Sequence, residues 1–286
     1  MNIIYQLILK ILNYDLMKKK KIIIIIDEQP LHHPDYILGV IEYLKNNDWI
    51  INACLIKKNK NKASLNNFFI KKFFLLSFSD KIKLIYLKFY ITIFNLIFKK
   101  GFNNKYYSVK SVLKKKLINY IEVREDINFS KNINFVKNFQ PDIILSSNSQ
   151  IFSDELINIP NIACINRHSS LLPSYKGLMP VFHAINKNEK YLGVSIHFMT
   201  NKIDEGKIIS QSKFANLCHN NLNKIYSKIF TLSISCTIEA IEILLNKNKL
   251  IRISDNKESY YSTPSSSDLS EFYKKAKIDY ELFNFT

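Results

Sequence analysis

The sequence predicts an α/β fold, with a mostly parallel sheet and helices on both faces, and three observations carry that reading. Ile22–Ile26 is a run of five isoleucines between Lys21 and Asp27. A short all-β-branched run, apolar at both alternating sets of positions, suits a strand buried on both faces, as in parallel sheets. Tyr36, Ile37, Val40, Ile41 and Leu44 then recur at helical spacing, and Trp49–Ile56 reads as a second strand. Strand, helix, strand at this separation opens a doubly wound sheet. Lastly, Ile143–Leu145 is a short apolar strand running straight into the polar loop Ser146-Ser147-Asn148-Ser149-Gln150. In open α/β sheets ligands sit beyond the C-terminal ends of strands.

The remaining elements follow in order. Asn119–Val123 is a strand, and Lys131–Asn138 a helix leading to Gln140-Pro141-Asp142. Ala163–Ile165 and Val194–Phe198 are later strands, and Asn221–Leu245 is a long helix. Before the first strand, the apolar stretch within Met1–Met17 is interrupted by Asn2, Gln6 and Lys10, and Lys18–Lys21 follows it. Residues 1–21 are therefore expected as a surface helix rather than a signal peptide or a membrane span. Phe68–Phe98 interleaves aromatic and aliphatic residues with lysines. It reads as one or two amphipathic helices inserted at about 66–100. An extra helical layer on the sheet is the preferred role, and docking to a membrane or lipid-linked substrate the alternative. Residues 22–245 would form the main domain and 246–286 a short C-terminal extension.

A chain of 286 residues, 47% hydrophobic and 13% aromatic, can bury one large core. Its 41 basic against 24 acidic residues give +17, which invites a nucleic-acid or anionic-membrane partner. The lysines are scattered, however, as an A/T-rich coding sequence would produce, so charge alone establishes no such partner. Cys54, Cys164, Cys218 and Cys236 lie far apart with no metal-ligand spacing, which fits reduced thiols in a cytoplasmic protein and no metal. The chain has five glycines and no glycine-rich phosphate motif, which leaves dehydrogenase and nucleotide-hydrolase readings without support.

Two segments carry chemistry. One runs Asn166-Arg167-His168-Ser169-Ser170-Leu171-Leu172-Pro173-Ser174-Tyr175-Lys176-Gly177; the other is Gly193-Val194-Ser195-Ile196-His197, continuing to Asp204-Glu205-Gly206. On an extended segment Asn166 and His168 point to the same side, and Asp204 could meet the imidazole from behind. The set suits acyl transfer to an amine. Asn166 and a protonated His168 would donate to the developing oxyanion, Asp204 would favour the imidazolium, and His168 or a water held by Asp204 could take the amine's proton.

These segments resemble the signature of the 10-formyltetrahydrofolate-dependent formyltransferases, Asn-x-His-x-Ser-Leu-Leu-Pro with a following basic residue and Gly, then Gly-x-[Ser/Thr]-x-His and Asp-x-Gly. That family includes glycinamide ribonucleotide, methionyl-tRNA and nucleotide-sugar N-formyltransferases. The close match covers Pro141–Ile209. The resemblance implies a Rossmann-like formyltransferase fold and a catalytic triad of Asn166, His168 and Asp204. It implies 10-formyltetrahydrofolate as co-substrate, with the pterin against the main chain of Ser149, Gln150, Ile151 and Phe152 and of Asn201, Lys202 and Ile203, and with Ser170, Leu171, Leu172 and Pro173 lining the same cleft. Three positions depart from the pattern: Arg167 replaces a small apolar residue, Lys176 the commoner Arg, and His183 a frequent aromatic. All three become candidates for the acceptor pocket.

His197 is expected to support Asp204 rather than react. His32 and His33, in the first βα loop, are either acceptor contacts or solvated, and His219 has no evident role. The family's tRNA enzymes carry an additional barrel for which residues after Leu245 are too few, so tRNA is disfavoured. Its glycinamide ribonucleotide enzymes need a glycine-rich first loop, whereas Asp27-Glu28-Gln29-Pro30-Leu31 is acidic and has no glycine. An amino-sugar acceptor is the branch that stays, and Ser259–Pro264 resembles the C-terminal segment of such proteins. A homodimer and a non-catalytic folate-binding role are open alternatives.

Overall fold

The computed structural model describes residues 19–57, 78–99, 101–103, 105–217, 222–246 and 257–275. The expected helix within 1–17, the first part of the basic-aromatic insertion, Cys218 and His219 lie outside them. Strand β1 (Lys21–Asp27) is the isoleucine strand, and Ile22 to Ile26 are all fully buried. Each contributes about 1.5–3 kcal/mol of hydrophobic burial. Helix α1 (His32–Asn46) follows, burying Tyr36, Ile37, Val40, Ile41 and Leu44, and leads into β2 (Ile50–Ile56).

Seven strands form one sheet in the order β3-β2-β1-β4-β5-β7-β8, with β3 at Asn119–Val123, β4 at Ile143–Ser147, β5 at Ala163–His168, β7 at Tyr191–Phe198 and β8 at Ile208–Ala215. From β3 to β5 the pairs are parallel; β5 with β7 and β7 with β8 are antiparallel. The expected mostly parallel sheet is what forms. Alternate residues feed two cores. Ile22, Ile24, Ile26, Leu145 and Ile165 pack against α1 and α7 (Leu222–Leu245). Ile23, Ile25, Ile144 and Cys164 pack on the other side with Val136 of α4 (Ser130–Phe139) and Leu156 of α5 (Asp154–Ile157).

The described part of the basic-aromatic insertion is helix α2 (Phe78–Ile97). Leu87 and Phe94 are buried, and Phe94 meets Tyr107 edge-on at 4.9 Å, but Phe78, Ile85, Phe89 and Leu96 are exposed. Among the described residues no helix is long and apolar enough to cross a membrane. Sequence patterning did not anticipate β8 or the short helices α3 (Val109–Lys115), α6 (Pro180–Asn186) and α8 (Ser266–Lys275). Nor did it anticipate a second, two-stranded sheet, in which β6 (Lys176–Gly177) pairs in parallel with β9 (Tyr260–Tyr261). That pairing joins the C-terminal extension to the segment following His168.

Candidate functional site

Strand β5 sorts its residues by alternation. Ile165 and Arg167 face α1 and α7, while Asn166 and His168 share the opposite face with Cys164. The antiparallel register then sets His197 opposite Asn166 and Ser195 opposite His168. Asp204 comes from the turn after β7, which the Phe198 N–H closes onto the Lys207 carbonyl at 3.0 Å. Gly206 is required there, because a Cβ would sit 1.7 Å from the Phe198 carbonyl oxygen.

Four side chains converge. His168 Nδ1 lies 3.4 Å from Asp204 Oδ2, and His197 Nε2 lies 3.5 Å from Asp204 Oδ1. Asn166 Nδ2 is 3.3 Å from His197 Nε2, and Asn166 Oδ1 is buried with no hydrogen-bond partner. His197 Nδ1 faces the Phe198 carbonyl at 2.8 Å, so that nitrogen carries a proton, and its Nε2 stands between Asn166 Nδ2 and Asp204 Oδ1. By the same logic His168 Nε2, 2.9 Å from the Tyr175 carbonyl, is the protonated nitrogen of a neutral ring. Its Nδ1 lone pair then faces the carboxylate.

The segment after β5 is held closely. The Ser195 hydroxyl donates to the Ser170 carbonyl at 2.6 Å and accepts from the Leu172 N–H at 3.0 Å, while Gln211 Nε2 donates to the Leu172 carbonyl at 2.9 Å. Further on, the Gly177 N–H donates to Asp204 Oδ2 at 2.9 Å. Tyr175 and Asp204, the two residues touching His168, both have left-handed backbone, at φ 59 and 53. Such positions cost about 1–3 kcal/mol each and persist only where the surroundings over-determine them.

Electrostatics corrects one expectation. Burial pushes the His168 pKa below its ordinary value and outweighs the upward pull of the Asp204 carboxylate and the Tyr175 carbonyl. His168 is therefore neutral at rest, where sequence reasoning expected an imidazolium. Burial alone would raise the Asp204 pKa, but the His197 hydrogen bond, the proximity of His168 and the Gly177 N–H leave it lowered. Asp204 is ionised.

The other expected site residues are dispersed around this centre. Leu172, Pro173, Lys176, Asp204, Glu205 and Glu258 line a hollow of about 280 Å³. Lys176 is buried there, paired with Glu258 and 3.6 Å from Glu205. Ser170 Oγ donates to the Ser174 carbonyl. In the loop after β4, Gln150 accepts from the Ile127 N–H and donates to the Glu125 carbonyl, which fixes the loop; Ser149 and Ile151 are exposed, and Phe152 is core. Asn201, Lys202 and Ile203 are exposed on the turn carrying Asp204.

Arg167 and His183 do not join the centre through their contacts. Arg167 bonds to the Ser147 and Ser233 hydroxyls at 3.1 and 3.2 Å and lies over the Phe230 ring at 4.1 Å. His33 lies tilted against the same ring at 4.9 Å, and His32 stacks on it at 5.5 Å. His183 faces the Ser262 carbonyl and stacks on Tyr261 at 4.5 Å. Sequence reasoning passed over Tyr175 and named Ser259 only as the start of the Ser259–Pro264 segment. The left-handed Tyr175 had no sequence signal, and the contacts of Ser259 flank a two-residue strand pair too short to have one. No cluster of three or more ligating side chains suited to a metal is found among the described residues.

Comparison with known proteins matches this part of the chain to one family. The sequence profile of the family described as "Formyl transferase" matches residues 101–241. A methionyl-tRNA formyltransferase of Lysinibacillus sphaericus is 29% identical over 140 residues, 49% of this chain and 45% of the relative. The chain thus spans less than half the length of that relative. Among solved structures, a phosphoribosylglycinamide formyltransferase from Anaplasma phagocytophilum superposes with a TM-score of 0.55 at 16% identity, over 85% of this chain and 98% of the other. The sugar 3N-formyl transferase WlaRD, solved in the presence of dTDP and 5-N-formyl-THF, gives 0.53 at 18% identity over 85% and 70%. These two share the fold. Residues 101–241, which hold the whole Asn166–His168–Asp204 constellation, match the formyl transferase family.

Proposed function

We propose that this protein is an N-formyltransferase that moves a formyl group from 10-formyltetrahydrofolate to the amine of an amino sugar, most simply a nucleotide-linked one. One observation carries the reading: Asn166 Oδ1 is buried and unpartnered beside a neutral histidine whose free nitrogen faces an ionised carboxylate. A buried acceptor without a donor costs about 1–3 kcal/mol, and an incoming amine N–H is the donor it lacks. The folate co-substrate supplies the electrophilic formyl carbon. Ser149–Phe152, Asn201–Ile203 and Ser170–Pro173 are the segments proposed to hold its pterin.

The roles follow from the bonds already present. Asn166 Oδ1 orients the amine, and the second Nδ2–H of Asn166 is left for the oxygen on which negative charge develops. His168 Nδ1 takes the amine proton and later returns one to the departing nitrogen. Asp204, 3.4 Å from that nitrogen, stabilises the imidazolium once it forms. Neutral His168 is the state a base requires, so the depressed pKa favours this division of labour over a resting imidazolium donor.

For the acceptor, the first loop weighs against a phosphate cradle. The Glu28 carboxylate accepts the Val109 and Lys110 N–H groups at 3.0 and 3.1 Å, so an acid already occupies the start of α3. The sugar enzyme among the structural relatives is consistent with a sugar amine, and the methionyl-tRNA relative supplies the competing acceptor. A formyl-transfer assay with 10-formyltetrahydrofolate across nucleotide-linked amino sugars, glycinamide ribonucleotide and charged initiator tRNA tests both levels. Formylation of tRNA or of glycinamide ribonucleotide alone would overturn the acceptor. Tight folate binding without turnover on any amine would favour a non-catalytic protein.

A further inference from the structure

Of the C-terminal extension's contacts with the segment after β5, the fullest are those of Ser259. Ser259 uses every polar group it has on the segment after β5: its N–H donates to the Pro173 carbonyl at 3.2 Å, its carbonyl accepts from the Lys176 N–H at 2.9 Å, and its hydroxyl accepts from the Tyr175 N–H at 2.9 Å. The neighbouring Ser174 hydroxyl donates to the Lys257 carbonyl, and Glu258 pairs with buried Lys176. Tyr175 and Tyr261 stack at 5.2 Å with an interplanar angle of 13°, which closes the seam.

From this geometry we infer that Ser259 is a positioning residue for His168 and Asp204. The peptide it clamps, Tyr175–Gly177, presents one carbonyl and one N–H to the centre. The Tyr175 carbonyl takes the His168 Nε2 proton at 2.9 Å, and the Gly177 N–H holds Asp204 Oδ2 at 2.9 Å. The first bond decides which imidazole nitrogen is basic, and the second sets where the carboxylate stands relative to it. Tyr175 sits in left-handed backbone, and the Ser259 hydroxyl bonded to its N–H supplies the constraint that keeps it there. The inference rests on the formyl-transfer reading for its kinetic consequence, but its spectroscopic consequence stands alone.

The full-length protein labelled with ¹⁵N at histidine reports the His168 tautomer directly. Wild type should show the Nε2–H form; Ser259→Ala should show a tautomer mixture, and Ser259→Thr, which keeps the hydroxyl, should restore the wild-type signal. In the transfer assay Ser259→Ala should lower kcat about ten- to a hundredfold, the scale of a displacement near 1 Å, with the folate KM within about twofold of wild type. Glu258→Gln, at an exposed side chain, loosens the same seam without emptying the core and should shift the tautomer partway; it decides the matter if Ser259→Ala fails to fold. A wild-type tautomer and kcat in folded Ser259→Ala, or equal losses in the Ala and Thr variants, would overturn the assignment. If no amine is formylated, a tautomer shift still supports positioning and the fault lies with the proposed activity.

Discussion

Gly177 and Asp204 are joined by a 2.9 Å hydrogen bond from backbone N–H to carboxylate, so the acid of the site is anchored by the segment that follows its histidine. Gly177 has φ 89, and a Cβ there would stand 2.3 Å from the Tyr261 carbonyl oxygen. Gly177→Ala should therefore push the β6–β9 pair apart as well as strain the backbone. We expect a stability loss of about 1–3 kcal/mol in urea melts, with turnover falling further than stability explains. An alanine variant with wild-type turnover would mean the anchor is dispensable.

Asp204→Asn keeps the side chain's volume and removes its charge. Since the carboxylate pulls the His168 pKa upward against burial, that pKa should fall further in the variant. If neutral His168 is the base, the acid limb of kcat/KM should move to lower pH while the plateau rate drops. NMR titration of His168 beside the pH–rate profile checks both, and an acid limb moving to higher pH contradicts the assignment.

Asn166→Ala removes both the acceptor for the amine and the donor for the oxyanion. Loss of one such donor costs about 10²–10³ in rate, so turnover should fall by at least that factor while folate affinity, measured by calorimetry, changes little. Equal losses in affinity and rate would make Asn166 a folate contact instead.

His33 predicts acid sensitivity. Burial first, then Arg167 and His32, lower its pKa from 6.5 to about 3. A histidine kept neutral in the fold binds fewer protons than in the unfolded chain, so stability is fully present above pH 6.5 and declines as pH falls toward 3, by about 1.4 kcal/mol per unit. His32 and His168, also lowered, act in the same direction. Urea unfolding at several pH values should show a shallower slope in His33→Leu. Arg167→Met should flatten it partly by relieving the repulsion, and unchanged slopes in both variants would exclude His33 as the source.

Where the sequence could be read, one periodicity governed the segment. The isoleucine strand, the strand at Asn119–Val123 and the pairing of Asn166 with His168 on one face needed only alternation and burial. The same alternation already assigns Arg167 to the opposite face, where the structure has it among aromatic rings and serines. β8 was illegible because its buried positions include Ser210, whose hydroxyl is satisfied by the Cys236 carbonyl of α7, a partner no local pattern reveals. The neutral state of His168 was illegible for a related reason: it depends on how completely distant elements exclude water.

Ser259 lies 84 residues beyond the Tyr175 it clamps. During synthesis Asn166, His168 and Asp204 therefore emerge and enter the sheet well before the segment that fixes their geometry exists. The nascent chain would carry the whole chemical complement of the site before the clamp that sets its geometry, and full turnover would wait for the segment around residue 259 to emerge and dock. A chain cut short before that point would keep all three chemical residues and lose the contact that sets their geometry.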